Sequence, residues 1–115
     1  MRLLLVDDDA NFRRLARRLL EADGYDVVGS ARDATEGLRL AGELAPDVML
    51  VDVNLPDASG FELAARLGRE HPGTTVLLTS TYSRGDFEQL ARSAGADGFV
   101  PKDELSGAEL DRRIT

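Results

Sequence analysis

Residues 2–9 read Arg-Leu-Leu-Leu-Val-Asp-Asp-Asp, and the rest of the chain follows the pattern they set. The apolar run is too short for a helix and, lacking polar alternation, reads as a strand covered on both faces. Three aspartates stop it. Phe12, Leu15, Ala16, Leu19 and Leu20 then recur at i, i+3, i+4, i+7 and i+8, which is one face of a helix. Arg13, Arg14, Arg17 and Arg18 fall on the other side and read as a solvated helix face rather than a nucleic-acid patch. Asp23-Gly24 ends that helix.

The same unit returns down the chain. Asp26–Ser30 is a second strand, and Ala34, Leu38, Ala41 and Ala45 mark a helix ending before Pro46. Asp47–Val51 is a third strand leading to Asp52. Ser59, with Glu62 three residues on, caps a helix that turns Phe61, Ala64 and Leu67 inward. Thr74–Thr79 is a fourth strand, and Phe87, Leu90, Ala91 and Ala94 mark a helix stopped at Gly95. Gly98–Val100 is a short fifth strand, and Ser106–Ile114 a fifth helix that the chain barely completes. Five strand–helix units imply right-handed crossovers and a parallel sheet with helices on both faces. The expected architecture is one three-layer α/β/α domain over residues 1–115. A closed barrel, which needs eight units, is excluded.

Composition narrows the chemistry. The chain carries 14 basic and 21 acidic side chains, a net charge of −7, which disfavours nucleic acid or anionic lipid as a partner. With 0 cysteines and 1 histidine there are no thiolate metal sites, no disulfides and no histidine cluster. No apolar run is long enough to span a membrane, and acidic residues directly after Val6 argue against a signal peptide. A cytoplasmic domain that handles ions through oxygen ligands is the expectation.

In an open parallel sheet, ligands gather beyond the carboxyl ends of the strands where strand order reverses. Those ends carry Asp7, Asp8 and Asp9, then Asp52, then Thr79-Ser80, then Lys102. Carboxylates held close together repel, and a divalent cation relieves the repulsion. With oxygen ligands alone Mg2+ fits, Asp7 and Asp8 being the natural ligands. Asp52 stands alone at its strand end and is the natural nucleophile for a phosphoryl group, with metal, lysine and hydroxyl holding the phosphoryl oxygens. Lys102 is the chain's only lysine beside thirteen arginines, and a compact ammonium suits a phosphoryl group as a point charge. Asp9 and Asp57 read as solvated loop carboxylates, Asp9 also as a candidate cap of the first helix, Asp33 as the cap of the second, and His71 as an exposed helix-end residue. Asn54 and Thr81 are too small to wall the site from water, so an acyl phosphate there is expected to be short-lived.

Four segments together resemble the receiver domain of two-component response regulators over essentially the whole chain. They are Leu-Leu-Val-Asp-Asp-Asp at 4–9, Asp-Val-Met-Leu-Val-Asp-Val-Asn-Leu-Pro-Asp-Ala-Ser-Gly-Phe-Glu-Leu at 47–63, Val-Leu-Leu-Thr-Ser at 76–80 and Gly-Ala-Asp-Gly-Phe-Val-Pro-Lys at 95–102. The resemblance implies a flavodoxin-like five-stranded sheet of order 2-1-3-4-5. It implies a regulatory domain, not an enzyme, in which Asp52 takes a phosphoryl group from the phosphohistidine of a sensor kinase or phosphotransfer protein. Asp8 and Asp52 would ligate Mg2+ directly, with Asp7 completing the acidic pair and the Asn54 backbone carbonyl adding a ligand. Lys102 would pair with the phosphoryl oxygens. Thr79 and Phe99 would relay the change to the face of helix four, strand five and helix five, where a second copy would also pair. An output domain joined beyond residue 115 is a further implication.

One departure stands out: the family usually has proline after the lysine, often with a cis bond, whereas here Asp103 follows Lys102 and Pro101 precedes it. A cis bond before a non-proline residue costs about 3 kcal/mol, so a trans bond is expected. Two other readings compete. A phosphatase of the haloacid dehalogenase type needs an aspartate two residues after the nucleophile, where this chain has Asn54. A degenerate receiver serving only as an interaction module normally lacks the acceptor, the acidic pair or the lysine, and all are present.

Overall fold

A computed structural model describes residues 1–82 and 85–114. Five strands, β1 (Arg2–Val6), β2 (Asp26–Ala31), β3 (Val48–Asp52), β4 (Thr75–Ser80) and β5 (Gly98–Pro101), alternate with five helices. The helices are α1 (Ala10–Ala22), α2 (Ala34–Leu44), α3 (Gly60–Glu70), α4 (Phe87–Ser93) and α5 (Gly107–Ile114). The strands form one parallel sheet in the order β2-β1-β3-β4-β5. The flavodoxin-like order expected from the sequence is the order found.

Each strand divides its side chains between two cores. Leu4, Val6, Met49, Val51, Val76 and Leu78 pack with Leu63, Ala64, Leu67 and Ala91 from α3 and α4. Leu3, Leu5, Val48, Leu50, Leu77 and Val100 pack with Ala16, Leu20 and Leu110 from α1 and α5. This explains the unbroken apolar strands: both faces of the sheet are covered. Because the chain runs from β1 outward to β2 and then crosses back to β3, the switch point lies between β1 and β3.

Local structure departs from the sequence reading in a few places. In α1 the buried residues are Ala16 and Leu20, while Leu15 is 61% exposed. The helix is rotated towards Arg13, whose guanidinium donates to the Asp7 carbonyl at 2.6 Å, as Arg17 does to Val27 at 2.9 Å. Two of the four arginines thus tie α1 to the sheet rather than lying free in solvent. Leu90 is 41% exposed and only Ala91 of α4 is buried. Ala45 lies beyond α2 as a left-handed cap, with φ 45°. Gly24 and Gly95, at φ 98° and 96°, occupy the left-handed helix stops where a side chain would be strained.

Caps fix the helix starts nearest the switch point. Asp9 accepts from the Asn11 and Phe12 N–H groups, Asp33 from Glu36, and Ser59 from Glu62. Asp57, expected to be merely solvated, also caps α2. It accepts from the Ala34 and Thr35 N–H groups at 2.8 and 3.0 Å and from the Thr35 hydroxyl at 2.7 Å. The β3–α3 loop is thereby pinned to α2. The Thr35 hydroxyl and then the two N–H donors hold the Asp57 carboxyl down to about 2, from an ordinary value of 3.8. A lowered folded-state pKa gives stabilisation that is complete above the unfolded value and lost as pH falls through the folded one. Thermal melts of wild type and Asp57→Ala should therefore differ above about pH 4 and converge between there and about pH 2. A gap in melting temperature that persists unchanged at the low end would show that the charge is not what holds the loop.

Candidate functional site

Three strand ends converge on one ammonium. Lys102, starting the 3-10 turn Lys102–Glu104 directly after β5, places Nζ 2.7 Å from Asp7 Oδ2 and 3.3 Å from Asp52 Oδ2. Asp7 and Asp52 are 1% and 6% exposed, whereas Asp8 faces solvent. One carboxylate oxygen from each of Asp7, Asp8 and Asp52 can be found such that all lie within 4.8 Å of one another. The Lys102–Asp103 bond is trans, as expected, and no cis bond occurs among the described residues.

The backbone orients the carboxylates. Asp7 Oδ1 accepts from the Asp9 N–H at 2.9 Å, and Asp52 Oδ1 from the Asn54 N–H at 3.1 Å. Asp7 Oδ2 is buried without a directed hydrogen bond; its contact with Lys102 is an ion pair lying off the hydrogen-bond direction. Burial pushes the Asp52 carboxyl above its ordinary value and the Asp7 charge adds to the push, while the Asn54 N–H and Lys102 pull against it. Burial also disfavours the Lys102 charge, but the Asp7 and Asp52 carboxylates outweigh it and the ammonium's pKa rises.

Such an arrangement suits a hard cation. Its donors are all oxygens, one buried carboxylate oxygen has an incomplete set of partners, and the mouth is open to solvent. A cavity of about 230 Å3 opens beside these groups, lined by Asp8, Asp52 and Lys102 together with Asn54, Ser80 and Tyr82. A larger hollow of about 410 Å3 lies between α2 and α3, around Leu38, Leu63 and Arg66. Asp57 and Glu62 also line it, but none of Asp7, Asp8, Asp52 or Lys102 does.

The hydroxyl at the rim is not the one expected. Thr79 pairs in register with Asp52, is 1% exposed, and donates its hydroxyl to the Val100 carbonyl at 2.6 Å. It does not line the cavity. Ser80, one residue nearer the strand end, lines the cavity, its Oγ accepting from the Tyr82 N–H at 3.2 Å. Tyr82 is 73% exposed, so a large ring, and not only small residues, borders the opening. Phe99 is buried and set edge-on against Phe87 of α4, with ring centroids 5.1 Å apart. Its N–H donates to Glu88 of α4 at 3.0 Å, and its carbonyl accepts from Arg113 of α5 at 2.8 Å. The edge strand β5 is thus fastened to both flanking helices at this residue.

The sequence reading assigned no role to Gly60. A Cβ there would lie 2.2 Å from the Asp52 carbonyl oxygen and 2.7 Å from Val53 Cα, while the Gly60 N–H donates to Val53 at 2.7 Å. Space, not backbone angle, demands the glycine. Its place eight positions after Asp52, just inside a capped helix, is a signal only in hindsight.

The fold and site together define a flavodoxin-like α/β domain with a metal-competent acidic rim. The profile of the response regulator receiver domain matches residues 3–115, and the chain belongs to that family. Response regulator GacA of Pseudomonas protegens is 37% identical over 115 residues, covering 99% of this chain and 52% of GacA. A protein-glutamate methylesterase/protein-glutamine glutaminase of Maricaulis maris is 37% identical over 118 residues, covering 97% of this chain and 29% of that protein. The chain therefore spans about half, or less, of the length of these curated relatives. Among solved structures, a two-component response regulator of the LuxR family from Aurantimonas sp. superposes with a TM-score of 0.86 at 36% identity, covering 96% of this chain and 79% of that one. The response regulator domain of Thermotoga maritima CheB gives 0.84 at 29% identity, covering 99% and 92%. Receiver domains serve phosphorylation-dependent two-component signalling, and this chain is a member. Among the described residues, no helix is long and apolar enough to cross a membrane.

The packing at Gly60 gives a direct test of the site's scaffold. Gly60→Ala should lower stability by about 1–3 kcal/mol, because backbone rather than a flexible side chain must yield. It should also weaken Mg2+ binding, since the displaced backbone carries Asp52. Denaturant unfolding with and without Mg2+ measures both; unchanged stability would show that the loop relaxes freely.

Proposed function

We propose that Asp52 is the phosphoacceptor of a signalling switch governed by a sensor histidine kinase or phosphotransfer protein. The observation that carries this reading is the convergence of Asp7, Asp8, Asp52 and Lys102 at the β1–β3 switch point. In the reaction an Asp52 carboxylate oxygen attacks the phosphorus of the donor phosphohistidine. The phosphorus–nitrogen bond breaks, its electron pair leaves with the imidazole, and an acyl phosphate remains on Asp52. Asp7, Asp8, Asp52 and the Asn54 backbone carbonyl would hold Mg2+, which when bound supplies charge compensation for the transferring phosphoryl oxygens. Lys102 lies within 3.3 Å of Asp52 and pairs with the same oxygens.

The switch then works through the cavity rim and β5. Ser80, lining the cavity, is better placed than Thr79 to give its hydroxyl to the phosphoryl group. Phe99 carries the change to α4 and α5 through its ring, its N–H and its carbonyl. The α4–β5–α5 face is the surface on which a partner or a second copy would read the state. In this reading residues 1–115 form one receiver unit whose own role is regulatory. In a chain as long as its regulator or methylesterase relatives, that unit would govern the joined module. The haloacid dehalogenase alternative has nothing to support it: the needed second carboxylate is replaced by Asn54. The interaction-only alternative leaves the assembled carboxylate–lysine group without a use.

Asp52→Asn tests the assignment, because the amide keeps the size and removes the nucleophile. Wild type incubated with Mg2+ and acetyl phosphate should gain one phosphoryl mass, absent when EDTA is added and absent from Asp52→Asn. An equal adduct on the variant would place the acceptor elsewhere.

A further inference from the structure

The ammonium of Lys102 has carboxylates on only part of its surface. Asp7 and Asp52 take one side at 2.7 and 3.3 Å. On another side Nζ stands over the ring of Phe12, 4.3 Å from its centroid. The Lys102 side chain is only 15% exposed, so little water is available to complete its solvation. A largely desolvated ammonium needs partners around it, and the negative face of an aromatic ring is one that imposes no hydrogen-bond direction. The ring is itself fixed. Phe12 is half-buried against the core between α1, α5 and the sheet, and its N–H donates to the Asp9 cap at 3.3 Å. The cap that begins α1 beside the acidic rim therefore also sets the place of the ring.

Resting on the phosphoacceptor reading above, we propose that Phe12 is a positioning residue for phosphoryl transfer, its ring face seating the Lys102 ammonium while that group exchanges Asp52 for the incoming phosphoryl oxygens. With acetyl phosphate as donor, the Asp52 oxygen forms a bond to phosphorus, the bond from phosphorus to the acetyl oxygen breaks, and acetate leaves with the electron pair. No proton or electron is left over. Asp52 ceases to be a free carboxylate during this step, and the negative charge moves outward onto the phosphoryl group. Lys102 must turn to follow it. A hydrogen-bond acceptor in Phe12's place would tether the ammonium to one direction, and an aliphatic side chain would leave it poorly solvated part-way. A ring face keeps the contact through the turn, because its attraction varies little as the ammonium pivots above it. The interaction is then stronger in the transition state, where competing carboxylate contacts loosen, than in the resting site, which is the condition for accelerating the step.

Fluorinated phenylalanines introduced at position 12 by codon suppression provide the test. Successive fluorines drain the negative potential from the ring face while leaving its shape nearly constant, which a packing role would scarcely sense. The Mg2+-dependent rate of phosphorylation by acetyl phosphate is followed by intact mass, and Mg2+ affinity is measured separately by titration with the metal alone. The rate should fall stepwise with fluorination, reaching a loss of roughly 2- to 30-fold for the fully fluorinated ring. Mg2+ affinity should stay unchanged, and Phe12→Trp should retain the wild-type rate. A flat rate across the series in a protein that still phosphorylates on Asp52 overturns the role of Phe12 and leaves the phosphoacceptor reading standing. Mg2+ affinity falling in step with the rate also overturns it, since the ring would then be shaping the metal site. Wild type that takes no phosphoryl group on Asp52 overturns both. Phe12→Leu serves as a coarser companion, expected to match the fully fluorinated ring, and the fluorinated series decides if that variant folds poorly.

Discussion

The Lys102 ammonium, 2.7 Å from Asp7 and 3.3 Å from Asp52, is the contact on which the site's geometry depends. Two buried carboxylates at neighbouring strand ends would repel strongly in a poorly solvated environment, and one would take up a proton or the strands would part. A cation between them offsets that repulsion at the switch point. Removing one member of such a group leaves charge buried without a partner, which costs far more than the pair contributes. In a chain with thirteen arginines and one lysine, it is the lysine that occupies this place. A point charge can serve two carboxylates and then turn to a third anion, whereas a planar guanidinium would be committed to one fork.

The surrounding structure holds that group in place from several directions. Asp9 begins α1 and sets the Asp7 carboxylate through its own N–H. Gly60 lets α3 start hard against the Asp52 carbonyl. Asp57 fastens the intervening loop to α2. On the far side, Phe99 joins β5 to α4 and α5 through Glu88 and Arg113. The same strand carries Lys102 at its end, so a displacement of the ammonium and a displacement of the α4–β5–α5 face are mechanically related. In the proposed switch, that relation is the route by which phosphorylation at Asp52 would reach the face.

Most of this was legible in the sequence because strand ends are marked by abrupt changes from apolar to charged residues. Asp7, Asp8, Asp52 and Lys102 each follow such a run, and parallel topology then brings them to one edge. Thr79-Ser80 offers two hydroxyls in succession, and sequence alone does not say which of them lines the cavity. Strand register puts Thr79 level with Asp52, and of these two equally buried residues only Ser80 lines the cavity. Leu15 fitted the helical stripe equally well, but the direction in which α1 turns is decided by Arg13 and Arg17 bonding to the sheet. Asp57, Gly60 and Phe12 act through neighbours 22 to 90 positions away or through close backbone approach. Periodicity carries no trace of such contacts.

The proposed switch requires the carboxylates at the β1 and β3 ends to form a single cation site. Calorimetric titration of Mg2+ into wild type and Asp8→Asn tests it most directly, because Asp8 is exposed and its amide should not disturb the buried pair. One Mg2+ should bind per wild-type chain, with affinity weakened by about tenfold or more in Asp8→Asn and the fold retained. Equal affinity in the two proteins, or no saturable binding to wild type, would contradict it.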